Sequence, residues 1–201
     1  MLRPRYPIET ERLRLRPYRQ DDFDALLAIH SREDVNRYLY THPRDHDGVQ
    51  RLIDDAGRRS ALEAEGDTLV LGLEERDGGR LVGNVILHWS SEQHRQGEIG
   101  FVLHPDEQGR GFAREASLEM LRLGFDELRL HRITGRCDGR NDSSARLLER
   151  LGMRREAHFL HSEVFKGEWA DEFVYAMLDH EWRARTGDAR GAGPGRRSPA
   201  G

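Results

Sequence analysis

A glycine-bearing segment between a predicted strand and a predicted helix has the composition of an anion-binding loop. It runs from Gln108 to Ala113 and reads QGRGFA. Successive glycines let the backbone approach a ligand closely, and the free N–H groups at a helix start attract negative charge. The pattern therefore favours a phosphate or a pyrophosphate. It lacks the Gly-Lys-Ser/Thr of a Walker loop and the spacing of a dinucleotide fingerprint, so an ordinary turn remains the alternative from these residues alone.

Residues that could serve as nucleophiles or metal ligands form no recognisable pattern. The single cysteine, Cys137, lies in a predicted strand, excludes an internal disulfide and is expected to be a small buried residue. The sequence contains no serine-elbow motif and no HExxH motif. Among the ten histidines, His158 and His161 point to opposite faces of one predicted strand. We therefore expect neither an acyl-enzyme nucleophile nor a metal site.

The overall charge and hydropathy exclude several classes of protein. The chain has 201 residues and a formal net charge of −4, with 32 basic and 36 acidic residues. A domain that binds nucleic acid directly usually carries a net basic surface, so we do not expect one here. No apolar run approaches the ~20 residues of a membrane span, and the first residues lack the apolar centre of a secretory signal. We expect a cytoplasmic protein with no membrane contact.

The periodicity of apolar residues predicts a mixed α/β domain with about seven strands. Alternating Arg and Leu residues predict the first strand, and a Gly-Gly turn joins the next two as a hairpin. The predicted strands cover residues 12–16, 68–74, 81–89, 98–103, 132–138, 154–165 and 171–178. The predicted helices cover residues 21–30, 34–39, 45–64, 112–128 and 143–151. This order of elements is typical of one sheet flanked by helices.

One domain and a tail are expected from the composition along the chain. From Gly187 onward the sequence contains no apolar residue larger than alanine. Such a segment has nothing to bury. We therefore expect residues 1–186 to form the domain and residues 187–201 to be a disordered C-terminal tail.

Four segments together resemble the GCN5-related N-acetyltransferase (GNAT) family, in particular its RimJ/RimL-type ribosomal-protein N-terminal acetyltransferases. They are the first strand from Glu9 to Arg16, the strand from Glu98 to Leu103, the loop from Gln108 to Ala113, and the helical segment from Asn141 to Met153. The loop is similar to the Gln/Arg-x-x-Gly-x-Gly/Ala pyrophosphate loop of that family. The segment from Lys166 to Asp171 resembles the final hairpin of the group.

The resemblance implies the GNAT fold, a mixed and mostly antiparallel sheet whose fourth and fifth strands splay apart. It implies acetyl-CoA as acyl donor, a primary amine as acceptor, and direct attack in a ternary complex without an acyl-enzyme. It also implies a set of donor-binding residues: Val102, Leu103, Gln108, Gly109, Arg110, Gly111, Phe112, Ala113, Asn141 and Ser144. The backbones of Val102 and Leu103 would bind the pantetheine arm, although ordinary sheet pairing would use the same groups. Arg110 would contact either a phosphate or only solvent.

Glu98 is the candidate general base for such a transfer. An ammonium must lose a proton before it can attack, and a carboxylate can relay that proton through water. A surface carboxylate at a strand start is the structural alternative. His88, Glu92 and His94 lie nearby in the sequence and are rivals for the role.

Asn141 and Ser144 stand at the start of the helix that follows the fifth strand. As an N-cap, Asn141 needs no further role, but its amide also keeps a donor for the cofactor contact that the resemblance implies. Ser144 would lie near the thioester sulfur, with a solvated first-turn serine as the alternative. Many relatives carry a tyrosine in this helix that protonates the leaving thiolate, whereas the matching residue here is Leu148. Ser144 or water then supplies the proton, or the thiolate leaves unassisted.

Several functional alternatives stay open at this point. The acceptor is a protein N-terminus, an amino sugar or a small amine. A non-catalytic acyl-CoA-binding sensor or scaffold would keep the loop, but Glu98 and Asn141 argue for an enzyme. A nucleotide-binding regulator would need a Lys-Ser/Thr pair and an acidic magnesium partner that the loop lacks. By resemblance alone, a homodimer is expected.

Overall fold

The structure is a computed structural model that describes the backbone of residues 1–191 and the side chains of residues 1–187. Within this range the strands are β1 (Ile8–Glu9), β2 (Leu13–Arg16), β3 (Thr68–Glu75), β4 (Leu81–Ser91), β5 (Gln96–Leu103), β6 (Arg132–Asp138), β7 (Arg154–Phe165) and β8 (Glu168–Leu178). The α-helices are α1 (Phe23–His30), α2 (Glu33–Asn36), α3 (His46–Asp54), α4 (Phe112–Arg122), α5 (Asp142–Arg150) and α6 (Asp179–Gly191).

All of these strands belong to one sheet with the order β1-β2-β3-β4-β5-β6-β8-β7. Neighbouring strands are antiparallel except β5 and β6, which run parallel. The parallel contact begins at the pair Gln96–Arg132 and ends at the pair Glu98–Thr134. Beyond it the two strands separate, while β6 stays paired with β8 along its whole length. The predicted mixed, mostly antiparallel sheet is confirmed, and its predicted fourth and fifth strands are β5 and β6.

Two groups of helices cover opposite faces of the sheet. On one face, Val85, Leu87 and Ile99 pack with Phe112 and Met120 of α4. Burial of one such side chain contributes ~1.5–3 kcal/mol. The spacing of the apolar residues in α4 provides the matching helix face.

The other face of the sheet packs against the N-terminal helices. Here Val70 and Ile86 lie in one cluster with Leu26 of α1 and Val49 of α3. Successive side chains of a strand point to opposite faces. Along β4 and β5, side chains therefore alternate between the α4 side and the side of α1 and α3.

A buried ion cluster fixes the start of α1 against the sheet. Arg16 of β2 donates hydrogen bonds to both carboxylate oxygens of Asp22, at 2.7 and 2.9 Å, and a further one to Glu74 of β3. All three side chains are buried. Removing one partner of a buried ion pair is strongly destabilising, so the cluster holds α1, which ends at His30, in a defined position above the sheet.

The structure corrects two of the predicted elements. The prediction of a helix over residues 45–64 is wrong for its second half, because α3 ends at Asp54. Gly57 is a poor helix former, and Leu62 instead forms a β-bridge with Leu2 and is fully buried. The sheet also has eight strands rather than about seven, since the two-residue strand β1 adds to its edge and is too short to show an alternation.

The helix α6 was not predicted. It is anchored by Trp182, which stacks on Phe125 with 5.9 Å between ring centroids and donates to Asp126 at 2.9 Å. One buried tryptophan in an otherwise polar segment gives no helical periodicity. The tail predicted from residue 187 begins within α6, and residues 192–201 lie outside the described residues. In the part of the chain described, no helix has the length and apolarity that crossing a membrane requires.

Candidate active site

A cavity of about 330 Å³ lies where β5 and β6 separate. Strands, helix starts and loops from distant parts of the sequence contribute its lining: Tyr38, Leu39, Tyr40, Asn84, Ile86, Glu98, Ile99, Gly100, Phe101, Val102, Arg136, Cys137, Asp138, Asn141, Ser144, Leu148, Glu163, Phe165 and Glu172. The cavity brings together four of the predicted catalytic and donor-binding residues, namely Glu98, Val102, Asn141 and Ser144. Leu103 and the glycine-bearing loop lie outside this lining.

The backbone of β5 is paired on one side only in the region of the cavity. Val102 pairs with Asn84 and Leu103 with Gly83 of β4. On the other side, no residue of β5 beyond Glu98 pairs with a strand in the described chain. A strand edge of this kind presents N–H and C=O groups in a row. In this region β5 is therefore paired with β4 on one side and has a free edge on the other. That free edge could bind an extended, amide-containing chain.

Glu98 is half-buried and faces the cavity from the side of the sheet that packs on α1. Burial raises the pKa of its carboxyl above the ordinary value, and the charge of Glu172 acts in the same direction. The positive charge of Arg136 opposes this rise without cancelling it, and the smaller effect of His88 acts in the same direction as that of Arg136. A carboxylate with a raised pKa is a stronger base than an exposed one.

The rivals of Glu98 are less well placed. Glu92 and His94 are exposed in the turn between β4 and β5 and do not line the cavity. His88 is paired directly across from Glu98, but its Nδ1 is 2.9 Å from the hydroxyl of Thr68, so one ring nitrogen is already engaged.

Two side-chain pairs in the cavity wall were not predicted. The guanidinium of Arg136 donates to both carboxylate oxygens of the buried Glu172, at 2.7 Å each. The hydroxyl of Tyr40 donates to Glu163 at 2.6 Å. Each pair joins distant segments of the chain, so no local sequence signal identifies it.

The glycine-bearing loop lies at the start of α4, and its backbone has the conformation that glycine permits. Gly109 has φ of 77° and Gly111, the N-cap of α4, has φ of 88°. A Cβ at Gly109 would meet no atom within 4 Å. Among the described residues, the N–H groups of residues 109–111 donate to no protein acceptor, and the first-turn N–H groups of a helix have no partner within it. These groups form an open cradle of unpaired N–H donors that could bind an anion, and Gln108 beside it is exposed.

The side chain of Arg110 is bound by carboxylates of the protein. The sequence predicts contact with a phosphate or only with solvent. The guanidinium instead donates to Glu75 at 2.8 Å and to Glu107, and lies 4.6 Å from the ring centroid of the buried Phe112. Burial acts to raise the pKa of Glu107, but the hydrogen bonds from Arg110 and Arg80 outweigh it and lower that pKa. The backbone of the loop, rather than this side chain, is therefore free to meet an anion.

At the start of α5, the N-cap role of Asn141 is confirmed. Its Oδ1 accepts a hydrogen bond from the N–H of Ser144 at 3.1 Å. The side chain of Ser144 is half-buried and lines the cavity. Leu148, one turn further on, is buried against Gly135, where an added Cβ would lie 2.5 Å from its Cδ2. The position that the resemblance matches to a tyrosine is thus filled by a buried apolar side chain.

Cys137 is half-buried in β6 and also lines the cavity. Burial, with smaller effects of Asp138 and Glu172, raises the pKa of its thiol to about 11. A thiol of this kind is protonated at neutral pH and is a poor nucleophile. Among the described residues, no three His, Cys, Asp or Glu side chains are grouped so that they could hold a metal ion.

Comparison with known proteins gives consistent similarities. The family model "Acetyltransferase (GNAT) domain" matches residues 12–154, a range that includes β5, the loop and α5. The uncharacterized N-acetyltransferase YnaD of Bacillus subtilis (strain 168) is 31% identical over 87% of this chain and 98% of that protein. Spermidine N(1)-acetyltransferase of Escherichia coli (strain K12) is 22% identical over 86% of this chain and 89% of that protein. A crystal structure of a GNAT-family acetyltransferase from Bacillus anthracis has a TM-score of 0.77 at 30% identity and covers 90% of this chain and 100% of that chain.

Proposed function

The chain belongs to the GNAT acetyltransferase family and is an N-acetyltransferase, and from this premise we propose that it moves an acetyl group from acetyl-CoA to a primary amine by direct attack in a ternary complex. The cavity between β5 and β6 carries the proposal. Its lining includes Ile99 from the α4 side of the sheet and Ile86 from the side of α1. Donor and acceptor can therefore meet through the sheet from opposite faces.

The donor binds on the α4 side in this proposal. The free N–H groups of Gly109 and Gly111, with the positive end of α4, hold the pyrophosphate. The buried side chain of Phe112 packs against the loop, and Gln108 and Ala113 flank the anion. The free edge of β5 at Val102 and Leu103 binds the pantetheine arm, and the side-chain amide of Asn141 keeps its donor for the same arm. The open space at Gly109 supports this arrangement.

The acceptor enters from the side of α1 and loses its proton to Glu98, directly or through water. The neutral amine then attacks the carbonyl carbon, so that a C–N bond forms and the C–S bond breaks. The positively charged nitrogen formed by the attack releases its second proton to water, and water restores the proton that is given to the leaving thiolate. We assign the hydroxyl of Ser144 as donor of the proton that the leaving thiolate takes up, in place of the tyrosine that Leu148 replaces. A thiol with an ordinary pKa of about 8.5 makes a fair leaving group, so this help is modest. The protonated thiol of Cys137 supports transfer without an acyl-enzyme.

A small cationic amine is the acceptor that we favour. Among the described side chains of the cavity wall, Glu98, Asp138, Glu163 and Glu172 are carboxylates and Arg136 is the counter-charge. Arg136 pairs with Glu172, and Arg140, outside the lining, pairs with Asp138. Of the described side chains in the wall, Glu98 and Glu163 therefore carry the carboxylates without a cationic partner, and these attract an ammonium. The relative named spermidine N(1)-acetyltransferase supports the same class, while the RimJ/RimL-type segments support a protein N-terminus as second candidate.

The test is acceptor-dependent release of free thiol. The protein is incubated with acetyl-CoA and a panel of polyamines, amino sugars and peptides with free N-termini, and products are identified by mass. We expect thiol release that depends on the amine and an acetylated amine in equal amount. Binding of acetyl-CoA without amine-dependent release would instead favour a non-catalytic acyl-CoA-binding module.

Two further proposals rest on composition and resemblance. The low cysteine content supports a reducing, cytoplasmic setting, and the family resemblance supports a homodimer. Light scattering tests the second proposal, because a monomer mass at micromolar concentration contradicts it.

A further inference from the structure

Asn84 of β4 is a buried polar residue in the cavity wall for which neither the fold nor the proposed chemistry provides a role. Its side chain is 7% exposed and lines the cavity. Within the described residues, its Oδ1 has no hydrogen-bond partner. A buried carbonyl oxygen without a partner is costly, and natural proteins seldom keep one without a reason.

The neighbour of Asn84 on the protein side is His30, the last residue of α1. His30 is 8% exposed, and its Nε2 also has no partner among the described residues. Burial, together with the charge of Arg44, lowers the pKa of His30 to about 4, while Asn84 beside it opposes this shift. The ring is therefore neutral at pH 7. A hydrogen bond between the two side chains would use one lone pair or one N–H of Asn84, and the rest of the amide would still face the cavity.

The position of Asn84 places it on the acceptor side of the sheet. It pairs with Val102, and His88 pairs with Glu98 in the same register. Residues that differ by an even number along a strand share a face, so Asn84 and Glu98 point to the same side. That side packs on α1 and lies opposite α4, which carries the loop assigned to the donor.

Asn84 and Glu98 are separated along the sheet. The register positions of the two on β4, Asn84 and His88, are four residues apart, which corresponds to ~13 Å along the strand direction. One amine nitrogen cannot touch both side chains. A molecule that uses both must be elongated, with its reacting amine near Glu98 and another polar group near Asn84.

Given the proposed amine acetylation, on which this inference rests, we propose that Asn84 is a specificity-determining residue that binds a second hydrogen-bonding group of the acceptor. The acceptor class is then a bifunctional primary amine, an amino alcohol or a diamine, with several carbons between its two polar groups. His30 positions the amide. A simple alkylamine of the same length would leave the amide of Asn84 buried and unpaired, and the site would discriminate against it.

The experiment compares matched acceptors in the intact protein. Thiol release is measured with alkylamines of four to eight carbons and with the amino alcohols of the same lengths. For the length that fits best, we expect kcat/KM for the amino alcohol to exceed that for the alkylamine about tenfold. In Asn84→Leu this preference should vanish or reverse, with the change in KM rather than kcat.

Two further variants and the wider panel of amines distinguish failure of the Asn84 assignment from failure of the proposed acetylation. Ser117→Ala removes another buried, unpartnered polar atom, but from α4, and should keep the wild-type preference. Asn84→Asp should shift the preference toward the diamine. An equal preference in wild type and Asn84→Leu overturns the assignment. So does turnover of other amines in the panel without turnover of any amino alcohol, and in that case the acetylation itself stands. Absence of turnover with every amine contradicts the proposed function and this inference together.

Discussion

Glu98 of β5 and Thr134 of β6 form the residue pair at which the parallel contact between the two strands ends. The hydroxyl of Thr134 donates to the carbonyl oxygen of Gly97 at 3.2 Å and closes this contact. The carboxylate of Glu98 therefore lies at the apex of the opening. Beyond the apex, the edge of β5 has no strand partner in the described residues. The chain thus places a half-buried carboxylate at the point where its backbone first becomes free to bind another molecule.

The cradle at the start of α4 predicts a specific effect of adding a side chain at Gly109. Gly109→Val should weaken acetyl-CoA binding at least tenfold, about 1.4 kcal/mol, because the new side chain fills the space assigned to the pyrophosphate. Gly78→Val is the matched control, since Gly78 also has positive φ and open space around a Cβ but lies in the hairpin between β3 and β4. Calorimetry measures both affinities. Equal affinities in the two variants would remove the loop from the donor site.

The hydroxyl of Ser144 can be tested against its neighbour on the same helix. Ser144→Ala keeps the backbone N–H that Asn141 accepts but removes the proposed proton donor. We expect kcat to fall about tenfold, near or below the lower end of general-acid effects, because a thiolate is a fair leaving group. Ser143→Ala, at an exposed position, should leave kcat unchanged. Identical rates in both variants would show that water protonates the thiolate.

The local parts of the site could be predicted, because each is defined by residues close in sequence. The loop at α4, the strand from Arg132 to Asp138 and the N-cap Asn141 all depend on turns, alternation or capping within a few residues. The convergence of that strand and of Asn141 on one cavity could not be predicted from sequence spacing, since it depends on where β5 and β6 separate. The family resemblance supplied that part of the prediction.

The wall of the cavity was missed for a physical reason. Arg136 and Glu172 are 36 residues apart in sequence, and Tyr40 and Glu163 are 123 apart. Ion pairs and hydrogen bonds of this kind form only after the sheet has set the register between β6, β8 and the segment after α2. Asn84 was missed because a single polar residue in a strand carries no periodic signal.

The buried imidazole of His30 predicts a dependence of stability on pH. Its pKa is lowered from 6.5 to about 4 in the folded protein, so between these values the unfolded chain binds the extra proton. The free energy of unfolding should therefore fall as the pH falls through this window. From about pH 7 to about pH 5, His30 should account for a loss of ~2 kcal/mol. Urea unfolding of wild type and His30→Gln, which cannot titrate, measures the difference. Equal losses in both proteins would contradict the lowered pKa.

The role of Glu98 as base is tested most directly by the pH dependence of Glu98→Gln. The amide keeps the shape of the side chain but cannot accept the proton, and general bases contribute typically 10²–10⁴-fold. We predict that kcat at pH 7 falls at least about 30-fold, that acetyl-CoA affinity changes little, and that the deficit shrinks at higher pH, where the acceptor amine is already neutral. Glu92→Gln, an exposed carboxylate outside the cavity, should match the wild type at every pH. A wild-type rate in Glu98→Gln at pH 7, or a deficit that stays constant as the pH rises, would contradict the proton transfer that we assign to Glu98.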